Sequence, residues 1–224
     1  DGANGDDVLQ KTRLFEVYLQ SDPKSTGRVT VPVLWDRQVG TIVSNESSEI
    51  IRMFNSAFDQ LTGNDLDFWP MAMREDIEEI NNDIYQNVNN GVYRSGFATR
   101  ADAYEQVVHQ LFAALDRLEL RLSSNRYLLD DRLTEADWRL FTTLIRFDAV
   151  YVGHFKCNIR RIVDYPALSG YMRELYQMSG IADTVNMKHI KYHYYASHLN
   201  INPTGIVPAG PEQDFSAAHG RDHL

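Results

Sequence analysis

One stretch limits the fold of this chain more than any other: Arg28-Val-Thr-Val-Pro-Val-Leu-Trp-Asp36, answered by Ile42-Val-Ser-Asn-Glu-Ser-Ser48. Val29, Val31, Val33 and Trp35 alternate with the period of a strand, so Arg28 to Trp35 is read as one. Asp36-Arg-Gln-Val-Gly40 turns the chain back into Thr41–Val43, which predicts an antiparallel hairpin. Pro32 cannot donate to a ladder, so the backbone beside it is left for another partner. Ser44 or Asn45 is placed to cap the following helix, whose apolar stripe is Ile50, Ile51, Phe54, Ala57 and Phe58. A helix that opens on Glu46 and Ser47 sets unpaired N–H groups beside a carboxylate and a hydroxyl. Free backbone on one side and a charged helix start on the other suit a small zwitterionic peptide. On these residues alone, an edge strand with a trans proline and a simply capped helix fit as well.

Upstream, Asp1–Asp7 reads as a surface loop, and the absence of an initiator methionine suggests a piece of a longer chain. Val8–Gln20 has helical spacing, and Ser21–Gly27 is turn material. Leu61–Pro70, with Gly63, Asn64, Asp65, Asp67 and Pro70, reads as a linker. Beyond it, apolar stripes recur at helical spacing: Ile77, Ile80, Ile84 and Val88; then Val107, Val108, Leu111, Phe112 and Leu115; then Leu140, Phe141, Leu144 and Ile145; then Leu168, Tyr171, Met172 and Leu175. No strand alternation interrupts them, which predicts an all-α domain. The fold class expected is therefore α+β, with domains over 1–62 and 63–200 and an irregular tail over 201–224. Thr134-Glu-Ala-Asp137 reads as a capping box at the start of the third stripe.

Charge narrows the partners. With 22 basic residues against 31 acidic the net charge is −9. This argues against nucleic acid and anionic membranes as partners, since both need clustered positive charge. No apolar run approaches membrane-spanning length. The single cysteine, Cys157, forms no disulfide within the chain, so the cytoplasm is the expected compartment.

The hairpin, the Glu46-Ser47 helix start and the Thr-x-x-Asp box together resemble the glutathione-transferase superfamily. A closer set of motifs is similar to the glutathionyl-hydroquinone reductases, its Xi class. They are Gly27-Arg-Val-Thr-Val-Pro-Val-Leu-Trp-Asp36, Ile42-Val-Ser-Asn-Glu-Ser47, Asn89-Asn-Gly-Val-Tyr-Arg-Ser-Gly-Phe-Ala98, Arg146-Phe-Asp148, Tyr151-Val-Gly-His-Phe-Lys-Cys157, Asn202-Pro-Thr-Gly205 and Gly220-Arg-Asp222. The resemblance covers essentially the whole chain. It implies the C-terminal half of a thioredoxin-like, glutathione-binding domain over 1–62, followed by an all-α transferase domain. The family's Cys-Pro-Trp-Ala motif is not in this sequence and is expected upstream, so the 224 residues alone are expected to be inactive.

The resemblance also implies a site. It makes Pro32 cis and turns the Val31 backbone toward the cysteinyl unit of glutathione. Glu46 takes the γ-glutamyl ammonium, Ser47 the adjacent carboxylate, and Arg28 the glycyl carboxylate. Tyr93, Tyr151 and Tyr194 match positions lining the active site: Tyr93 as proton donor and acceptor, Tyr151 and Tyr194 as donors that tune a thiolate. With 12 tyrosines in the chain, each is equally readable as a core aromatic without the resemblance. Cys157 is read as a buried hydrophobe. His189 and His193, four apart, lack a third ligand, so no metal is expected.

The implied reaction is reduction of glutathionyl-hydroquinones by thiol exchange at an upstream cysteine, with glutathione as co-substrate and a homodimer as the assembly. A conjugating glutathione transferase and a non-enzymatic, transferase-like binding module are the alternatives.

Overall fold

The computed structural model describes residues 5–224, so most of the Asp1–Asp7 loop reading lies outside the described residues. The chain divides into two compact units, the first ending at Asp67 and the second running from Phe68 to Leu224.

In the first unit the chain does not become helical at Val8. The Asp6 carboxylate accepts from the N–H groups of Val8, Leu9 and Lys11 at 3.0, 2.9 and 3.1 Å. That side chain offers the backbone an alternative to the helix, and helix α1 spans Leu14–Ser21. Ser21 closes α1 onto the hairpin, its hydroxyl pairing with Thr41 Oγ1 at 2.8 Å and accepting from Ile42 N–H at 3.0 Å.

Strand β1 (Leu34–Asp36) pairs antiparallel with β2 (Thr41–Ser44), with Trp35 opposite Ile42 and a bulge between Leu34 and Trp35. The Asp36 carboxylate holds the turn by accepting from Gln38 and Val39 N–H at 2.7 and 2.9 Å. The ladder is shorter than the alternation from Arg28 predicts. Tyr18 OH donates to the Thr30 carbonyl at 2.8 Å and lies 3.3 Å from Thr30 N–H, so a side chain takes partners a strand would have used. The Val31–Pro32 peptide that follows is cis.

Helices α2 (Ser47–Ser56) and α3 (Asp59–Thr62) complete the unit. Glu46, not Ser44 or Asn45, is the N-cap residue of α2. Ser44 acts one step earlier, accepting from Glu46 N–H at 3.1 Å and donating to Glu49 at 2.8 Å.

The second unit is helical throughout. A 3-10 turn (Met71–Met73) leads into α4 (Arg74–Ile84), a π-helical turn (Tyr85–Asn89) and α5 (Asn90–Gly96). The long α6 (Ala101–Leu122) and the central α7 (Glu135–Arg146) follow. A second π-helical turn (Phe147–Tyr151), α8 (Val152–His154), α9 (Pro166–Gln177) and α10 (Met187–Ser197) complete the helices. The apolar stripes meet in one core that includes Ile84, Val88, Leu111, Leu115, Leu140, Leu144, Leu168 and Leu175.

Two polar features fix α7 within that core. Asp137 is fully buried and accepts from Thr134 N–H, Leu128 N–H and Tyr171 OH at 2.8, 2.9 and 2.8 Å. Thr134 and Asp137 close the expected capping box. Asn89 reaches across from the first π turn to the Arg139 carbonyl and Thr143 hydroxyl at 2.9 and 2.6 Å.

The tail after His198 is irregular in backbone but anchored. Arg221 is buried and pairs with Glu174 at 3.0 Å. Its remaining donors meet the carbonyls of Leu122, Asn125 and Arg126 at 2.8, 2.9 and 2.7 Å, the end of α6 and the loop after it.

Candidate functional site

The first unit presents a bare peptide edge. Val31 is 71% exposed and sits ahead of the ladder, which starts at Leu34. Among the described residues its N–H and C=O take no backbone partner. Asn45 Nδ2 donates to Thr30 Oγ1 at 3.1 Å, tying the residue before Val31 to the residue before Glu46. Glu46 and Ser47 are both exposed at the start of α2. That helix start carries partial positive charge from its unpaired N–H groups, while Glu46 adds a carboxylate, so one spot complements both ends of a zwitterion. Arg28 is exposed on the same extended approach to Pro32.

The second unit gathers the three tyrosines, although Tyr93 and Tyr194 lie 101 residues apart. The hydroxyls form a chain, Tyr93 to Tyr194 at 2.5 Å and Tyr194 to Tyr151 at 2.9 Å. Tyr93 is 37% exposed, whereas Tyr151 and Tyr194 are 2% and 4% exposed. Burial first, then the neighbouring phenols, pushes Tyr151 and Tyr194 well above the usual phenol range, so both stay protonated.

Hydrogen-bond polarity follows from that burial. Each phenol has one proton to donate. Among the described residues Tyr194 is the hydrogen-bond partner of the Tyr151 hydroxyl. If the chain ran inward from Tyr93, the Tyr151 proton would end in the core without an acceptor, which costs ~1–3 kcal/mol. Running outward, Tyr151 donates to Tyr194 and Tyr194 to Tyr93. Tyr93 is then left with its own proton to give at the exposed end.

Phe155 is the floor of this cluster. Its ring stacks on Tyr151 at 5.5 Å and 11°, and lies 5.4 Å from Tyr93 and 5.8 Å from Tyr194. It reaches that place because position 96 is glycine: a Cβ there would fall 2.1 Å from Phe155 Cδ1. The two π-helical turns flank the same region, one running into α5 with Tyr93 and the other ending on Tyr151. Such turns shift the register of a helix face and are frequent at functional sites. Neither Phe155 nor Gly96 was assigned a role from sequence, although both stand inside the quoted motifs.

Cys157 is fully buried, and burial pushes its thiol up to about 12. His189 and His193 are exposed on α10. Among the described residues no group of three or more His, Cys, Asp or Glu is arranged to hold a metal ion. A cavity of about 220 Å³ opens beside Arg146, walled by Trp138, Phe141, Ile145, Ile181 and Val185; none of the three tyrosines lines it. No helix among the described residues is long and apolar enough to cross a membrane.

Comparison with known proteins adds an independent line. The family model described as glutathione S-transferase, C-terminal domain, matches residues 101–174. The glutathionyl-hydroquinone reductase YqjG of Escherichia coli K12 is 56% identical over 99% of this chain and 67% of its own length. PcpF of Sphingobium chlorophenolicum, another glutathionyl-hydroquinone reductase, is 53% identical over 95% of this chain and 66% of its own. The chain thus spans about two thirds of the length of these curated relatives. The glutathione-bound structure of YqjG superposes with a TM-score of 0.96, covering 99% of this chain and 72% of that one.

Proposed function

The chain belongs to the glutathionyl-hydroquinone reductases, a group of glutathione transferases, and on that footing we propose that it serves the glutathione-dependent reduction of glutathionyl-hydroquinones to hydroquinones. The observation that carries the reading is the outward-running phenol chain ending at Tyr93. It supplies the one thing thiol chemistry on a quinol needs besides sulfur, a proton delivered at a fixed place.

In this reading the first unit holds glutathione. The Val31 backbone pairs with the cysteinyl unit, Glu46 accepts from the γ-glutamyl ammonium, Ser47 donates to its carboxylate, and Arg28 meets the glycyl end. A relative solved with glutathione bound supports that ligand. A thiolate then attacks the sulfur of the glutathionyl-hydroquinone. The S–S bond forms as the ring C–S bond breaks, and the electron pair left on the ring carbon takes a proton from Tyr93. Hydroquinone leaves, and a second glutathione attacks the mixed disulfide, releasing glutathione disulfide and restoring the thiolate.

Cys157 is not that thiolate, because it is buried and protonated at any ordinary pH. The nucleophile of this reading is therefore a cysteine other than Cys157, the one cysteine of this sequence. Tyr151 and Tyr194 act through Tyr93, whose donor strength they set. A cytoplasmic homodimer completes the reading, and a monomer by light scattering would remove the second part of it.

The decisive experiment supplies glutathionyl-menadiol, kept reduced without oxygen, and glutathione to the whole protein and analyses the products. Menadiol and glutathione disulfide in equal amounts are expected. Accumulating glutathione adducts would point to a conjugating transferase and overturn the reading.

A further inference from the structure

His154 and His198 are used by none of the chemistry above, yet they stand directly behind it. His154, in α8, is 4% exposed. Its Nε2 lies 3.3 Å from Nδ1 of His198, with the rings stacked 5.4 Å apart. His198 is the C-cap residue of α10, its N–H donating to the carbonyl of Tyr194 at 3.2 Å. Its ring also packs edge-on to Tyr194 at 5.6 Å and on Phe155 at 6.0 Å. The histidine pair thus ties the end of the helix that carries the middle phenol to the segment just after Tyr151.

We propose that this pair is the positioning latch of the phenol chain. As neutral imidazoles, one nitrogen donates and the other accepts, and the end of α10 is held. When both rings are protonated, two N–H donors face each other at the same distance with no acceptor between them, and the latch opens. Tyr194 then loses its register with Tyr93 and Tyr151.

The surroundings favour a sharp response. From α10 the titratable groups that face the pair are His193, Tyr194 and Tyr195; from the segment after α8 it is Lys156, and from beyond α5 it is the uncharged Phe97. None of these is a carboxylate that would stabilise imidazolium. Burial first, then His198 and Lys156, holds His154 down at about 4; burial and His193 lower His198.

The latch rests on the proposed role of Tyr93 only for its catalytic consequence, so its test is spectroscopic and needs no turnover. The Cζ resonances of ring-labelled tyrosines and amide exchange over 187–198 are followed from pH 7 to pH 4. Expected are a joint shift of the Tyr93, Tyr151 and Tyr194 signals and a fall of ~10-fold or more in the protection of the amides at the end of α10, taken relative to the intrinsic exchange rate at each pH. Glutamine places its amide near Nε2 and asparagine near Nδ1, so His154→Gln with His198→Asn keeps a hydrogen bond that cannot titrate. That variant is expected to show neither change across the same range. Tyrosine signals that stay flat in the unmodified chain, or that titrate unchanged in the double variant, would overturn the latch. Because the first of these is read on the unmodified chain, a variant that fails to fold leaves the proposal open to refutation.

Discussion

At the scale of single residues, exposure separates groups that can act from groups that cannot. Cys157 and Tyr93 make the contrast. The thiol is sealed and held at about 12, so an aromatic disulfide reagent at pH 8 should leave it unmodified until denaturant is added. Rapid modification of the native chain would show the burial to be wrong. Tyr93 carries the proton of the phenol chain outward. Tyr93→Phe in the whole protein should lower kcat on glutathionyl-menadiol by ~100-fold or more while leaving KM nearly unchanged. Equal loss in both would make Tyr93 a binding group instead. His154 gives a third expectation, with its sign set by linkage. Its ordinary value is 6.5 and its folded value about 4. The unfolded chain therefore takes up the proton first, and stability is fully present above 6.5 and falls as pH drops toward 4. Denaturant titrations across that window should show the decline, and His154→Gln should flatten it. Of these three residues the sequence revealed least about His154, because a histidine 44 positions from its partner looks like any other lone histidine. Its partner His198 is brought to it only by tertiary packing.

At the scale of elements, local chemistry explains both what the sequence predicted and what it did not. The capping box at Thr134 was legible because both partners lie within one helical turn. The end of the Asp36 turn was legible for the same reason. The delayed start of α1 was not, because a single carboxylate, Asp6, outcompetes an apolar spacing that reads as helix from Val8. The π-helical turns carry no periodic signal of their own, since one extra residue per turn leaves the flanking stripes intact. Their consequence is nonetheless specific: α5 must approach Phe155 so closely that position 96 holds no side chain. Gly96→Ala should therefore lose about 1–3 kcal/mol from overpacking, despite the better helix propensity of alanine. Adding Phe155→Leu should recover part of that loss by vacating the same space, which chemical denaturation of the single and double variants would measure. If Gly96→Ala is neutral, the close approach is not real.

At the scale of the whole molecule, the two units differ in how much apolar surface they bury, and this bears on how glutathione binding would be seen. Among the described residues of the first unit, Ile50 is the one apolar side chain counted as buried, and α1 has none. Phe15, Phe54, Phe58 and Leu61 are all exposed there. The second unit holds the continuous core and is closed by its tail. Arg221 is buried against Glu174 and three carbonyls, so Arg221→Ala should cost about 3 kcal/mol by leaving those carbonyls without their donor and Glu174 with Arg126 as its remaining cation. The irregular composition of 201–224 gave no hint of that anchor, because the partner residues lie 47 to 99 positions upstream. A unit with so small a core opens at low free energy, so amides of α2 should exchange ~1000-fold faster than those of α6. A ligand that binds only the closed unit changes this by mass action. At a glutathione concentration of 100 times Kd, the first unit gains ~2.7 kcal/mol, which slows exchange through its opening by ~100-fold. The slowing should reach the amides of β2 and α2, where Glu46 and Ser47 sit, and leave those of α6 untouched. Should glutathione slow both units alike, or neither, the Val31 edge and the Glu46 helix start are not its binding surface.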